Sequence, residues 1–147
     1  MNFFESLLLN QVFMASFISW FVAQFLKVVL TLILDRKLDF YRMVGSGGMP
    51  SSHSSMVMGL STAVGLLHGF ESSLYAISFV FALIVMYDAS GVRRAVGKQA
   101  IIINTMIEDM YKHKPISNSK LKELVGHTPY EVFIGALLGI FIANLIV

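Results

Sequence analysis

Long apolar runs alternate with short polar segments along this chain, and these runs indicate its architecture. The apolar runs are residues 7–34, 54–70, 74–87 and 130–147. The first contains a single charge, at Lys27, and exceeds the roughly 20 residues that a helix needs to cross a bilayer. The second and third are shorter, but the brief turn between them, at 69–73, predicts a helical hairpin. The pattern therefore predicts four transmembrane helices.

Residues 88–129 depart from this pattern. A charged segment at 88–94 reads as a turn. After its start, apolar residues recur close to every 3.6 positions, at Val92, Val96, Ile103, Met106, Ile107 and Met110. This spacing predicts an amphipathic helix, which lies either in the membrane interface or against the bundle. Residues 112–126 are hydrophilic and predict a loop.

Lysine and arginine are concentrated in two segments. Residues 35–52 hold three and residues 88–129 hold seven, whereas the turn at 69–73 and both chain ends hold none. By the positive-inside tendency, both basic segments are predicted to be cytoplasmic and both termini outside. The predicted fold is an all-α membrane bundle in the cell membrane, a single domain over 1–147. It has about four transmembrane helices and one amphipathic helix on the cytoplasmic side.

Composition agrees with a membrane protein. Hydrophobic residues make up 56% of the 147 residues and charged residues 14%, whereas soluble domains average about 25% charged residues. Cysteine is absent, which excludes disulfides and thiolate metal sites. The first residues lack the positive region of a cleavable signal peptide, so none is expected.

Small residues predict close helix packing in two runs: Gly59, Ala63 and Gly65 in one, and Gly135 and Gly139 in the other.

The stretch 47–55 lies between the first two apolar runs. It holds two glycines, one proline, four serines and His53. Pro50 suits the first turn of a helix, which would place the serines and His53 at a helix N-terminus. Such an end presents backbone amides and a favourable dipole to an anion. A polar turn with an ordinary helix cap explains the same residues, so the stretch alone leaves both interpretations open.

The predicted topology brings several polar segments to one side of the membrane. The stretch 47–55, Arg93 with Arg94, and the segment 126–129 each stand beside a spanning helix on the predicted cytoplasmic side. Lys27 lies about two helical turns before residue 35, so its long stem allows the amine to reach the same side. Histidine, serine and basic side chains are thus predicted to gather at one membrane–water boundary.

The motifs in these segments resemble those of a known superfamily. Pro50-Ser51-Ser52-His53 resembles the Pro-Ser-x-His motif of the type 2 phosphatidic acid phosphatases and vanadium haloperoxidases. His127 followed at the fourth position by Glu131 resembles their His-x-x-x-Asp motif. The strings at 47–54, 87–94 and 126–132 look like the divergent bacterial and plant branch of this superfamily. The resemblance covers about residues 20–140.

The resemblance implies a role for each matching residue. His127 would be the nucleophile that forms a phosphohistidine, Glu131 would orient its ring, and His53 would be the general acid. The phosphoryl oxygens would be held by basic and hydroxyl groups, namely Lys27, Ser51, Ser52 with its amide, and Arg93 or Arg94. No metal or other cofactor is implied, because the cations are side chains and phosphoryl transfer depends mostly on positioning and charge stabilisation.

Several assignments stay open. Arg93 and Arg94 lie more than 30 residues before His127, whereas the superfamily places its arginine six residues before the nucleophile; which one serves is undecided. The superfamily's first motif contains a lysine and an arginine. Lys27 would stand for the lysine, and Arg36 and Arg42 are both candidates for the arginine. Glu131 also completes a capping box that begins at Thr128. Lys27 also fits a snorkelling lysine, the arginines also fit topology signals, and His68 and His113 fit structural roles.

The motifs and the predicted topology are consistent with two functions. The first is an integral membrane phosphatase that acts on a lipid phosphate or lipid pyrophosphate at the cytoplasmic face. The second is a non-catalytic membrane protein that binds lipid phosphate headgroups, as a scaffold or a transporter component. Both imply lipid phosphate and membrane lipids as partners, and neither implies nucleic acid. Homo-oligomerisation is open.

Overall fold

The computed structural model describes residues 2–36, 48–110 and 127–147, with the side chains of 35, 92–94, 98 and 109 left out. Within these residues every regular element is a helix. The helices are α1 (Phe3–Leu9), α2 (Gln11–Asp35), α3 (Ser52–His68), α4 (Ser73–Ser90), α5 (Val92–Met110) and α6 (Pro129–Ile146). The predicted loop at 112–126 lies outside the described residues. The predicted all-α class is confirmed.

The first apolar run is two helices rather than one. Asn10 adopts an extended conformation between α1 and α2, and its side chain accepts a hydrogen bond from the amide of Phe13 at 3.1 Å. Because this side chain caps the start of a helix, the spanning helix begins at Gln11, and residues 7–9 belong to α1. The apolar run at 7–34 is longer than a span requires, and its excess at the front belongs to α1.

Among the described residues, three stretches are long and apolar enough to cross a membrane: Gln11–Leu34, Pro129–Ile146, and Ser73–Glu108, which covers α4 and most of α5. The fourth predicted span is α3. Its 17 residues correspond to roughly 25 Å of helix, and it packs against α2, α4 and α6. The shortest of these helices is therefore the centre of the bundle.

The interior of the bundle consists of small side chains, and the large apolar ones face outward. The largest fully buried side chains are serines, and Ala15, Ala63 and Ala143 form one of the buried clusters. Large residues such as Phe25 and Phe141 are exposed on the outer faces of α2 and α6. A soluble protein would not expose so much contiguous apolar surface, whereas membrane helices pack through small residues and expose large ones to lipid.

The glycines of α6 allow its backbone to touch that of α3. A Cβ on Gly135 would overlap the carbonyl oxygen of Ser51, and one on Gly139 would overlap the carbonyl oxygen of Ser55. Gly59 on α3 meets Ser19 of α2 in the same way. The predicted close packing through these small residues is confirmed, and it fixes the start of α3 directly against the start of α6.

The segment 88–94 is mostly helical, contrary to its interpretation as a turn. α4 continues to Ser90 and α5 begins at Val92. Gly91 between them keeps a right-handed helical conformation, and its amide still donates to the carbonyl oxygen of Tyr87 at 2.8 Å.

The predicted amphipathic helix is α5. Val96, Ile103, Met106, Ile107 and Met110 lie exposed on one of its faces, as the 3.6-residue spacing requires. Among the described helices, α5 contacts only α4. Its apolar face is therefore not covered by the four-helix bundle, which favours a position along the membrane interface.

Candidate functional site

The polar stretch begins the central helix, two residues later than a helix with Pro50 as its first residue would begin. Ser51 is the N-cap of α3, because its hydroxyl oxygen faces the amide of Ser54 at 3.4 Å and its hydroxyl also pairs with that of Ser54 at 3.0 Å. Pro50 therefore precedes the cap and is not in the first turn of the helix. Amides of the first turn point out of the helix end, so this end can accept an anion.

Lys27 faces the start of α3 from the neighbouring helix. Its amine donates to the hydroxyl oxygen of Ser52 at 3.1 Å and to the side-chain oxygen of Gln24 at 2.9 Å, and only 2% of the lysine is exposed. The side chain thus does not extend towards the end of α2, as a snorkelling lysine would. A cation buried inside the membrane region is a functional candidate.

His127 and Glu131 meet at the start of α6. The Nδ1 atom of His127 lies 3.3 Å from the Oε2 atom of Glu131, and the histidine is 3% exposed. An ionised carboxylate only accepts hydrogen bonds, so Nδ1 carries the proton in this contact. In a neutral ring with the proton on Nδ1, Nε2 has the lone pair that a nucleophile requires.

The same carboxylate oxygen also caps α6. Oε2 of Glu131 accepts from the amide of Thr128 at 2.8 Å, and the hydroxyl oxygen of Thr128 accepts from the amide of Glu131 at 3.3 Å. This is the predicted capping box. Oε2 of Glu131 therefore makes both the contact expected of a helix cap and the contact expected of a residue that orients His127. Thr128 is the cap, so His127 stands just before α6 and not within it.

Two backbone hydrogen bonds tie the ends of three helices together. The amide of His127 donates to the carbonyl oxygen of Ala89 near the end of α4, at 3.1 Å. The amide of Ser51 donates to the carbonyl oxygen of Glu131, at 3.0 Å. These bonds hold the segment before α6 against α4 and hold the start of α3 against α6. The position of His127 thus depends on backbone contacts that no side-chain motif specifies.

The two histidines of the motifs face one another. The ring centres of His53 and His127 are 6.3 Å apart, with the planes inclined by 61°. The start of α3 and the segment before α6 therefore bring both motif histidines to the same site.

The structure describes the backbone of Arg93 and Arg94. Arg93 and Arg94 are the second and third residues of α5, four and five residues past Ala89, so the backbone brings them within about two helical turns of the bond between Ala89 and His127. Their side chains lie outside the described residues. The long sequence separation from His127 is therefore bridged by the fold.

Arg36, the described candidate for the arginine of the first motif, lies away from the site. Arg36 caps the end of α2 in a left-handed conformation, nine residues or roughly 13 Å of helix beyond Lys27. The structure does not bring it to the site. Arg42 and His113 lie outside the described residues. His68 lies at the opposite end of α3, away from the site.

No group of three or more metal-binding side chains occurs within the described parts of the chain.

Sequence reasoning missed Gln24 and Ala89. Gln24 is buried and bonds the amine of Lys27 from three positions earlier on α2. Residues three apart share one face of a helix, so two polar residues at this spacing in an apolar span were a usable signal. Ala89 contributes only its carbonyl oxygen, which any residue type supplies, and no sequence signal could have identified it.

Comparisons with known proteins agree with the resemblance drawn from the motifs. A family model described as "Divergent PAP2 family" matches residues 8–142. A protein of Bacillus subtilis (strain 168), named "Uncharacterized membrane protein YuiD", is 44% identical over 147 aligned residues, which cover 92% of this chain and 93% of the Bacillus protein. No solved structure matches significantly. The chain belongs to the divergent PAP2 family.

Proposed function

We propose that this membrane protein is a phosphatase that hydrolyses a lipid phosphate or lipid pyrophosphate through a phosphohistidine on His127. The observation that carries the proposal is the contact of His127 with Glu131, made opposite His53. In this arrangement Nε2 of His127 attacks phosphorus while the bond to the lipid oxygen breaks. His53 donates a proton to that oxygen, which leaves as an alcohol or a phosphate.

The second half of the reaction restores the site. Water attacks the phosphohistidine, the bond between Nε2 and phosphorus breaks, and the proton of the water passes to His53. Lys27, Ser52 and the first amides of α3 stabilise the charge on the phosphoryl oxygens. Preorganised donors of this kind usually make the largest single contribution to catalysis of such transfers.

The depth of the site supports a lipid substrate. α2 continues past Lys27 with exposed apolar residues as far as Leu34, which is about 10 Å of helix. At the level of Lys27 the outer faces of the bundle are therefore still apolar, and lipid surrounds them. A phosphate that reaches the amine of Lys27 is best carried by a molecule that itself resides in the membrane.

Phosphate release tests the proposal. Purified protein in detergent should release phosphate from lipid phosphates, and His127→Asn should abolish release because asparagine cannot form a phosphohistidine. His113→Ala is the matched control and should keep activity, since the sequence assigns this histidine no part in the site. If the wild-type protein binds lipid phosphate tightly and releases none, the non-catalytic binding function replaces this proposal.

The site is proposed to face the cytoplasm, because lysine and arginine are concentrated in the segments that flank it. The chain has no cysteine, so a single cysteine can be introduced and probed on intact cells with a membrane-impermeant thiol reagent. A cysteine at Ser72, in the turn before α4, should be labelled from outside. A cysteine at Ser119 should not be, and the reverse result would place the site on the outer face.

A further inference from the structure

A groove runs along the central helix between two of its neighbours. α3 packs against both α2 and α4, but among the described residues α2 and α4 make no contact with each other. One face of α3 is therefore left uncovered on the side between them. This gap opens sideways towards the surrounding lipid.

The uncovered face of α3 begins at the candidate site. His53, Met56, Leu60 and Val64 follow one another at spacings of three, four and four residues, so they share one face of the helix. His53 and Leu60 are half-buried, Met56 is 39% exposed and Val64 is buried. The groove and the proposed general acid thus lie on one face of α3.

The far part of the groove widens into a cavity of about 440 Å³. Its lining is mostly apolar and comes from all three helices: Val12 of α2, Leu60 and Val64 of α3, and Leu74, Ile77 and Phe81 of α4. Asn10 and His68 supply polar atoms at the end farthest from the site. An apolar cavity with a few polar groups is the usual form of a binding site for a small apolar ligand.

The depth of the cavity matches that of a lipid chain. Leu60 is seven residues from His53, about 10 Å along the helix, and His68 is fifteen residues away, about 22 Å. One leaflet contributes about half of the roughly 30 Å hydrocarbon core. A chain whose phosphate lies beside His53 would therefore enter the cavity within its own leaflet, and a long chain would pass the middle of the membrane.

We propose that this groove binds the hydrocarbon chain of the lipid phosphate substrate, and that the cavity makes the enzyme selective for long chains. The inference rests on the proposed function, because it takes the phosphate to lie between His53 and His127. Its support is the continuity of the apolar face of α3 with the site. Burial of each further methylene in such a cavity adds to binding, so affinity should rise with chain length until the cavity is filled.

Two tryptophan substitutions test the groove at different depths. Leu60→Trp blocks it near the site. Leu74→Trp blocks its far end, since Leu74 precedes Tyr75, which packs beside Gly65, twelve residues or about 18 Å from His53. Leu137→Trp is the control, because Leu137 is 48% exposed on α6 and does not line the cavity. Thermal unfolding in detergent verifies that each variant folds.

The substrates are octyl phosphate, hexadecyl phosphate and an aryl phosphate without a chain. Leu60→Trp should lower kcat/KM at least about tenfold for both alkyl phosphates, because overpacking an occupied site is unfavourable. Leu74→Trp should lower it for hexadecyl phosphate alone, because the octyl chain ends before that depth. Turnover of the aryl phosphate should not change in any variant. Equal behaviour of all three variants on hexadecyl phosphate would overturn the proposal.

A second measurement does not depend on catalysis. Hexadecyl phosphate with a photoreactive diazirine at the end of its chain should label the wild-type protein on the first turns of α4 or the end of α3. Leu74→Trp should move or abolish that label, whether or not the protein releases phosphate. Labelling confined to the outer face of α6 would contradict a chain in the groove. So would a disulfide between two copies that carry a cysteine at Leu74, because the groove would then hold a second copy.

Discussion

Replacing Glu131 with glutamine is expected to lower kcat for lipid phosphate at least roughly 100-fold while thermal stability in detergent stays nearly the same. Glutamine keeps a side-chain oxygen that can accept from the amide of Thr128, so the cap of α6 survives. The carboxylate also fixes the tautomer of His127 through the 3.3 Å contact and stabilises the cation that forms on it. An amide can donate as well as accept, so it fixes the tautomer poorly and carries no charge.

A second capping box in the same chain provides the control. Glu5 accepts from the amide of Asn2 at 2.9 Å, and Asn2 accepts from the amide of Glu5 at 3.0 Å, in an exposed setting at the start of α1. Glu5→Gln should therefore alter neither stability nor activity. Glu131→Asp should retain more activity than Glu131→Gln, since it keeps the charge. Full activity in Glu131→Gln would make this residue a helix cap only and would remove the main support for His127 as nucleophile.

Replacing His53 with alanine is expected to slow hydrolysis of alkyl phosphates by roughly 10²–10⁴-fold, the usual contribution of a positioned general acid. An alkoxide is a poor leaving group and needs a proton as the phosphorus–oxygen bond breaks. An activated aryl phosphate leaves with little need of protonation. The same substitution should therefore lower its turnover less than about tenfold.

The ratio of the two losses is the informative quantity, because each variant serves as its own control for folding. A merely structural His53 would affect the two substrates equally, and so would a His53 that only binds phosphate. Parallel initial-rate measurements on hexadecyl phosphate and p-nitrophenyl phosphate give the ratio. Equal losses on both would contradict the assignment of His53 as the general acid.

The sequence predicted the type of the main helices because a bilayer imposes strong length and hydropathy requirements on a spanning segment. It failed where a local contact overrides that pattern. Asn10 divides the first apolar run because its side chain caps α2. Gly91 interrupts the helix for one residue only, because its conformation stays helical. Such boundaries depend on backbone dihedral angles, which hydropathy does not encode.

The candidate site was predictable to the extent that it consists of motifs. The motifs identified His53, His127 and Lys27, and the predicted topology put them at one end of the bundle. The pairing of Lys27 with Gln24 and the bond between His127 and Ala89 were not predictable, because they arise from contacts between helices. The fold thereby explains how residues widely separated in the chain meet near one point.

Covalent labelling of His127 tests the central claim most directly. Purified protein should be mixed with a lipid phosphate that carries radioactive phosphorus and quenched in alkaline denaturant within a turnover. The account predicts a label on the peptide that contains His127, stable in base, lost in acid and absent from His127→Asn. Rapid phosphate release by wild-type protein with no label on His127, or with a label on another residue, would contradict the account.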